Sequence, residues 1–183
     1  YGNLIRLIAN FLVGSKVKAI SLQLKNDEKS EVNDYGPWIE LVQKAKPSIL
    51  DWHISDLTQE CVNFLIFASK IVELIRIENS SDGATEKDSL SIWFLKELLS
   101  KKCKYVAVSD STTKLSKAQI EELTQYFHHL GKKVSLAIPS IALPEDDQLG
   151  EYIVRRAIHG VFNTRNDMLV IEPVRADPCI EEM

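Results

Sequence analysis

Apolar residues fall along this chain in a pattern that repeats six times, each time as an apolar-x-apolar triplet followed by a stretch with helical spacing. The triplets are Leu22-Gln23-Leu24, Trp52-His53-Ile54, Ile75-Arg76-Ile77, Val106-Ala107-Val108, Leu136-Ala137-Ile138 and Leu169-Val170-Ile171, and their middle residues are separated by 30, 23, 31, 30 and 33 positions. Successive side chains of a strand point to opposite faces, so each triplet sends two apolar residues one way and its middle residue the other. Recurrence at this period is the mark of a β-α array, in which each unit needs a neighbour to bury its apolar face.

Helical spacing fills the intervals. Leu4, Ile5, Ile8, Phe11 and Leu12 form a first stripe that Gly14 stops, and a strand follows from Val17 to Leu24. Gly36-Pro37 opens a second helix with Trp38, Leu41, Val42 and Ala45 on its buried side, and Pro47 ends it. Strand two runs from Ile49 to Ser55, and Asp56 or Thr58 caps a helix containing Cys61, Phe64, Leu65 and Ala68. Strand three covers Val72 to Glu78, and the loop from Asn79 to Asp88 leads into a helix with Leu90, Trp93, Phe94 and Leu98.

Strand four is Tyr105 to Ser109. Ser116 with Gln119 forms a capping box that starts a helix through Ile120, Leu123, Phe127 and Leu130, closed by Gly131. Strand five is Lys133 to Ile138. The acidic run Glu145, Asp146, Asp147 after Pro144 suits the first turn of a helix reaching His159, and strand six is Met168 to Glu172. Trp38, Trp52 and Trp93 all fall on expected core faces.

Alternating strands and helices imply parallel strands joined by right-handed crossovers. The middle positions decide how many faces of the sheet are covered. Gln23, His53 and Arg76 are polar, and so are their same-face neighbours Ser21, Asp51, Ser55 and Glu78, so burying that face without partners would cost several kcal/mol. Tyr105, Ala107, Ala137, Met168 and Val170 make the later half of the same face far less polar, as a covered face or a contact patch would be. The expected fold is therefore α/β: an irregular leucine-rich-repeat-like β-α solenoid, with one parallel sheet of about six strands and helices on one face. A single domain spans 1–174, with a C-terminal tail over 175–183.

The 183 residues, 45% of them hydrophobic, suffice for one substantial core, and 26% charged residues fit a globular chain. The net charge of −4 provides no basic field for nucleic acid or an anionic membrane. Lys101, Lys102 and Lys104 read as a solvated helix end, and so do Arg155 and Arg156. Three widely spaced cysteines, Cys61, Cys103 and Cys179, with no CxxC, suit a reducing cytosol or nucleus, where the first two act as core fillers. No apolar run reaches the roughly eighteen residues of a membrane span. The chain does not begin with Met, and it reads as a fragment of something longer.

Catalytic motifs are scarce. No Gly-rich phosphate loop and no GxSxG elbow is present, and the adjacent pair His128-His129 lacks the i, i+4 spacing that places two ligands on one metal. Asp51 and His53 are the one arrangement resembling an acid/base pair, and no nucleophile stands beside them. Ser109-Asp110-Ser111 reads as turn and cap chemistry. No cofactor and no metal site is expected.

The register Ile49-Leu-Asp-Trp-His-Ile, Val72-Glu-Leu-Ile-Arg-Ile and Cys103-Lys-Tyr-Val-Ala-Val, with Ser100 to Asp110 and then Leu115-Ser-Lys-Ala-Gln-Ile-Glu-Glu-Leu, resembles nematode F-box-associated and FTH-type domains. The likeness spans about residues 17–140, and the regular asparagine ladder of standard leucine-rich repeats is missing. The resemblance implies a non-catalytic recognition module, the substrate- or partner-binding part of a ubiquitin-ligase adaptor. The expected partner-binding residues are Gln23, His53, Arg76, Glu78, Tyr105 and Ala107. The expected partner is a protein; no nucleic acid or membrane is expected, and a homodimer through an edge strand is a further expectation. The alternative is a small α/β enzyme with a strand-end pocket near Ser55, Asp56, Ser109 and Asp110.

Overall fold

The computed structural model describes residues 2–23, 34–54, 57–79, 91–109, 115–131, 134–139, 147–149, 152–161 and 164–173. Leu24, Ser55, Asp56, Asp110, Cys179 and the expected C-terminal tail lie outside them. Helix α1 (Gly2–Phe11) precedes β1 (Ala19–Gln23), α2 (Gly36–Ala45), β2 (Ile49–Ile54), α3 (Gln59–Ala68), β3 (Leu74–Asn79), α4 (Ile92–Leu99), β4 (Tyr105–Ser109), α5 (Lys117–His129) and β5 (Ser135–Pro139). Three further strands follow, β6 (Asp147–Leu149), β7 (Tyr152–Val161) and β8 (Thr164–Pro173).

Among the described residues all eight strands form one sheet in the order β1-β2-β3-β4-β5-β8-β7-β6. The first five are parallel and lie in chain order, as the strand-helix alternation requires. The last three are antiparallel, which departs from the expectation of six parallel strands. The expected helix after Pro144 is replaced by β6 and most of β7, and strand six is the second half of β8, antiparallel to β5. Ile153, Val154, Ile158 and Val161 are β-branched and suit a pleated surface better than a helix, and the long β7–β8 ladder, closing at Val161 opposite Thr164, satisfies their backbone groups.

Residues of opposite phase on each strand meet different surroundings. Leu50, Trp52, Ile75, Ile77, Val106, Val108, Leu136 and Ile138 join one buried core with Val42, Cys61, Phe64, Leu65, Phe94, Leu98, Leu123 and Phe127, so α2 to α5 all pack on this face. Trp52 is fully buried at its centre, its ring 4.6 Å from that of Phe64 and edge-on to Trp38 at 5.2 Å. Cys61 and Cys103 fill this core, as their sequence neighbourhoods suggested.

Local signals start and stop the helices. Thr58 accepts a hydrogen bond from the Cys61 amide, and Ser91 accepts one from Phe94. Ser116 and Gln119 form the full reciprocal capping box. Gly131, past the end of α5, has φ +57, a conformation open to glycine at no steric cost.

Two expected core assignments are corrected. Trp93 is 57% exposed rather than buried. In α1 the packed face is Ile5, Ala9 and then Leu12, against Leu41, Trp38 and Ile20, whereas Leu4, Ile8 and Phe11 point outward. Arg6 and Asn10 lie beside this packed face, where Arg6 pairs with Glu40 at 3.5 Å and Asn10 accepts a hydrogen bond from Lys44.

Removing the central ring tests this account of the core. Trp52→Ala should lower unfolding free energy by about 3–5 kcal/mol in urea titrations, by lost transfer and the cavity left behind. Ser116→Ala at the α5 cap should cost only about 1 kcal/mol.

Candidate functional site

The parallel strands are paired so that residues of one phase line up in rows across the face opposite the helices. One row reads Ser21, Asp51, Arg76, Ala107, Ala137, Val170 from β1 to β8. The next row, towards the strand C-termini, reads Gln23, His53, Glu78, Ser109. On the other side lie Ala19, Ile49, Leu74, Tyr105 and Ser135. All six expected partner-binding residues therefore stand on one face in adjacent rows. The triplets' middle residues fall in two of these rows: Gln23 and His53 sit one row further along than Arg76, Ala107 and Ala137.

Side-chain pairs tie the polar part together between strands. Arg76 donates from Nη1 to Asp51 Oδ1 at 3.3 Å, within one row. His53 Nδ1 lies 2.7 Å from Glu78 Oε2, within the next. Asp51 and His53 thus each pair across to β3 rather than with one another, so the acid/base arrangement suggested by their spacing is not what forms. The side chains of Asp51 and His53 are only 16% and 18% exposed, so these pairs are shielded more than a usual surface bridge. Arg76 Nε is buried with no hydrogen-bond partner among the described residues.

The apolar part is closed. Ala107, Ala137 and Val170 form their own buried cluster with Tyr105 beside it, separate from the helix-side core. Ala107 is fully buried although, among the described residues, no helix residue joins that cluster. β7 also contacts β4 across the two strands between them, so the antiparallel end of the sheet curls strongly, and we attribute the burial of the alanines to this curl. Ala107 accordingly lets the strands bend and does not itself offer surface. Burial pushes the Tyr105 phenol up to about 12, with Arg76 opposing the rise and Glu172 adding to it, so Arg76 and Glu172 bracket this ring.

Gln23 ends β1 opposite His53, and its side chain lies outside what is described. The alternative strand-end pocket cannot be assembled from described residues, since Ser55, Asp56 and Asp110 fall outside them. A cleft is found at the opposite, N-terminal end of the strands, lined by Val13, Lys16, Lys18, Lys44, Lys46 and neighbouring residues. Among the described residues no group of three metal-ligating side chains comes together, and no helix is long and apolar enough to cross a membrane.

Cys61 lies in the first turn of α3. Burial raises it to about 11, and the Tyr35 hydroxyl and the Trp52 indole lie beside it. Burial raises Tyr35 as well, with Cys61 next in effect. Such a thiol stays protonated at neutral pH and is no nucleophile. Comparison with family models, with curated proteins and with solved structures finds no match to this chain.

Two measurements test the site as described. Arg76→Ala leaves the shielded Asp51 carboxylate without its guanidinium and should cost about 1–3 kcal/mol, of which Asp51→Asn in the same chain should recover part. The phenol of Tyr105 ionises near 10.0 when unfolded and near 12 when folded. The stability tied to that difference is complete below pH 10 and lost as pH rises to 12, so Tyr105→Phe should flatten this part of the alkaline decline followed by circular dichroism.

Proposed function

We propose that this protein is a non-catalytic protein-protein interaction module that engages its partner through the helix-free face of the sheet. The observation that carries the reading is the two-row set of Asp51, Arg76, His53 and Glu78, presented on a rigid parallel sheet beside Tyr105. Charged groups held in fixed positions and bordered by an aromatic ring are what specific recognition uses, and Arg and Tyr are the residue types that most often dominate binding energy. Among the described residues Arg76 is held through Nη1 alone, and its side chain is 31% exposed. An acidic or carbonyl-rich partner surface would complete its hydrogen bonding. Gln23, His53, Arg76, Glu78 and Tyr105 form the contact set, and Ala107 supports the curvature beneath it.

The repeat of strand and helix, with the helices packed on one face, supports reading the parallel half as an irregular leucine-rich-repeat-like solenoid. The resemblance to F-box-associated and FTH-type domains supports the narrower reading, in which the module is the recognition part of a ubiquitin-ligase adaptor of the cytosol or nucleus.

The test is paired capture from the protein's own cells. The double variant Arg76→Ala with Tyr105→Ala should lose partners held by the unaltered chain, with affinity lower by at least about tenfold, while Trp93→Ala on the helix side keeps them. Thermal unfolding should show the double variant still folded at the capture temperature. Unchanged capture by a folded double variant would count against this face. The adaptor reading further requires ubiquitin-ligase subunits among the captured proteins, and their absence would leave only the broader module.

A further inference from the structure

We propose that the α1/β1 end of the molecule is a self-association surface, and that its occupant is a second copy of this chain related by a two-fold axis. Helix α1 carries two apolar stripes. One, Ile5 and Ala9 with Leu12 beyond, is spent on α2 and Ile20. The other is Leu4, Leu7, Ile8 and Phe11, spaced 3, 1 and 3 along the opposite side, at 57%, 53%, 43% and 77% exposure. Val13 extends it at 61%. Arg6 and Asn10 turn towards α2, so no charge interrupts the outer stripe.

The backbone beside this stripe is open as well. β1 ends the sheet and pairs, among the described residues, only with β2. Its sequence, Ala-Ile-Ser-Leu-Gln, holds none of the prolines or charges that usually blunt an edge strand. The other edge, β6, is three residues long, and such short edges resist pairing. Gly2 lies against Pro37, Arg6 against Glu40 and Asn10 against Lys44, so α1 runs parallel to α2 as the outermost helix of its layer. The unpaired strand edge and the uncovered stripe therefore share one end of the fold.

A satisfactory occupant must supply a strand edge and an apolar helix side together, and a second copy offers both. Antiparallel pairing centred on Ser21 sets Ile20 opposite Leu22 of the second copy, on the same face as the helices, and brings the two α1 stripes together. The five exposed side chains present about 500 Å² of apolar surface per copy, or about 1,000 Å² for two, which is the least a specific interface needs, and the strand backbone adds to it. The same axis sends each lysine-lined cleft, with Lys16, Lys18 and Lys46, away from its equivalent and towards the end of the second copy that carries Asp34. Like charges are thereby kept apart.

Sedimentation velocity on the whole chain, from about 1 to about 100 µM, should show a concentration-dependent monomer–dimer equilibrium. Leu7→Glu with Phe11→Glu should raise the dissociation constant at least about 100-fold without unfolding the chain, because both side chains already face solvent. In a Cys179→Ser background, Ser21→Cys should form a disulfide-linked dimer under mild oxidation faster than Gln125→Cys on exposed α5, since the proposed pairing puts the two copies of residue 21 opposite one another. Three results would each overturn the proposal: a chain that stays monomeric throughout, a dimer indifferent to the α1 charges, or Ser21→Cys cross-linking no faster than the control. Flotation of a monomeric chain with phosphatidylserine vesicles, lost in the Leu7→Glu, Phe11→Glu variant, would overturn it in favour of a membrane surface.

Discussion

Five parallel strands lie side by side in chain order, and each step between them is made by a helix that returns over the same face of the sheet. That constraint governs most of the molecule. Sequential neighbours joined by crossovers of one hand collect every helix on one side, so one phase of each strand meets the core formed with α2 to α5 and the other phase does not. The core thus takes Leu50, Trp52, Ile77 and Val108, and the other face is left to Asp51, His53, Arg76 and Glu78. Because the pairing is parallel and in register, these polar residues are neighbours across strands rather than along them, which is why Asp51 finds Arg76 and His53 finds Glu78.

A helix-free face needs its own means of avoiding buried polar loss, and the two halves of this sheet differ in how they manage it. Over β2 and β3 the polar side chains pair across strands, Asp51 with Arg76 and His53 with Glu78. Over β4, β5 and β8 they shrink to Ala107, Ala137 and Val170, whose burial we attribute to the bend of the sheet. Small residues permit that bend, since a long side chain on the concave side would hold the strands apart. Tyr105 stands where the two regimes meet, packed against the alanine cluster while within the electrostatic reach of Arg76 and Glu172. The change from parallel to antiparallel pairing comes one strand further on, between β5 and β8.

How far the sequence discloses this differs by region, for physical reasons. Strand phase in β1 to β3 is legible because one face is polar and the other apolar, so a slip of one residue would invert the whole set. Caps at Thr58 and Ser116 are legible because their side chains act locally. The segment from Asp147 to Val161 is not, because three acids after a proline imitate a helix start and Tyr-Ile-Val-Arg-Arg-Ala-Ile has no clean period of either kind. Its conformation is decided by the β8 ladder, a contact between distant parts of the chain that no local pattern carries. The rotation of α1 is hidden for a related reason. Leu4, Ile5, Leu7, Ile8, Ala9 and Phe11 cover more than half its circumference, so the apolar pattern alone does not select the packed side, beside which Arg6 and Asn10 pair with α2.

The face residues were legible as a group, and their pairing was not, because pairing depends on which row each residue occupies. Gln23 and His53 looked equivalent to Arg76 when each was taken as the centre of its triplet. The register places them one row on, and that offset gives Glu78 to His53 and leaves Arg76 to Asp51. A set of charges on a sheet is therefore a property of the register as much as of composition. Here the register is held by the apolar residues of the opposite phase, Trp52 above all, so the arrangement available for recognition on one face is fixed by packing on the other.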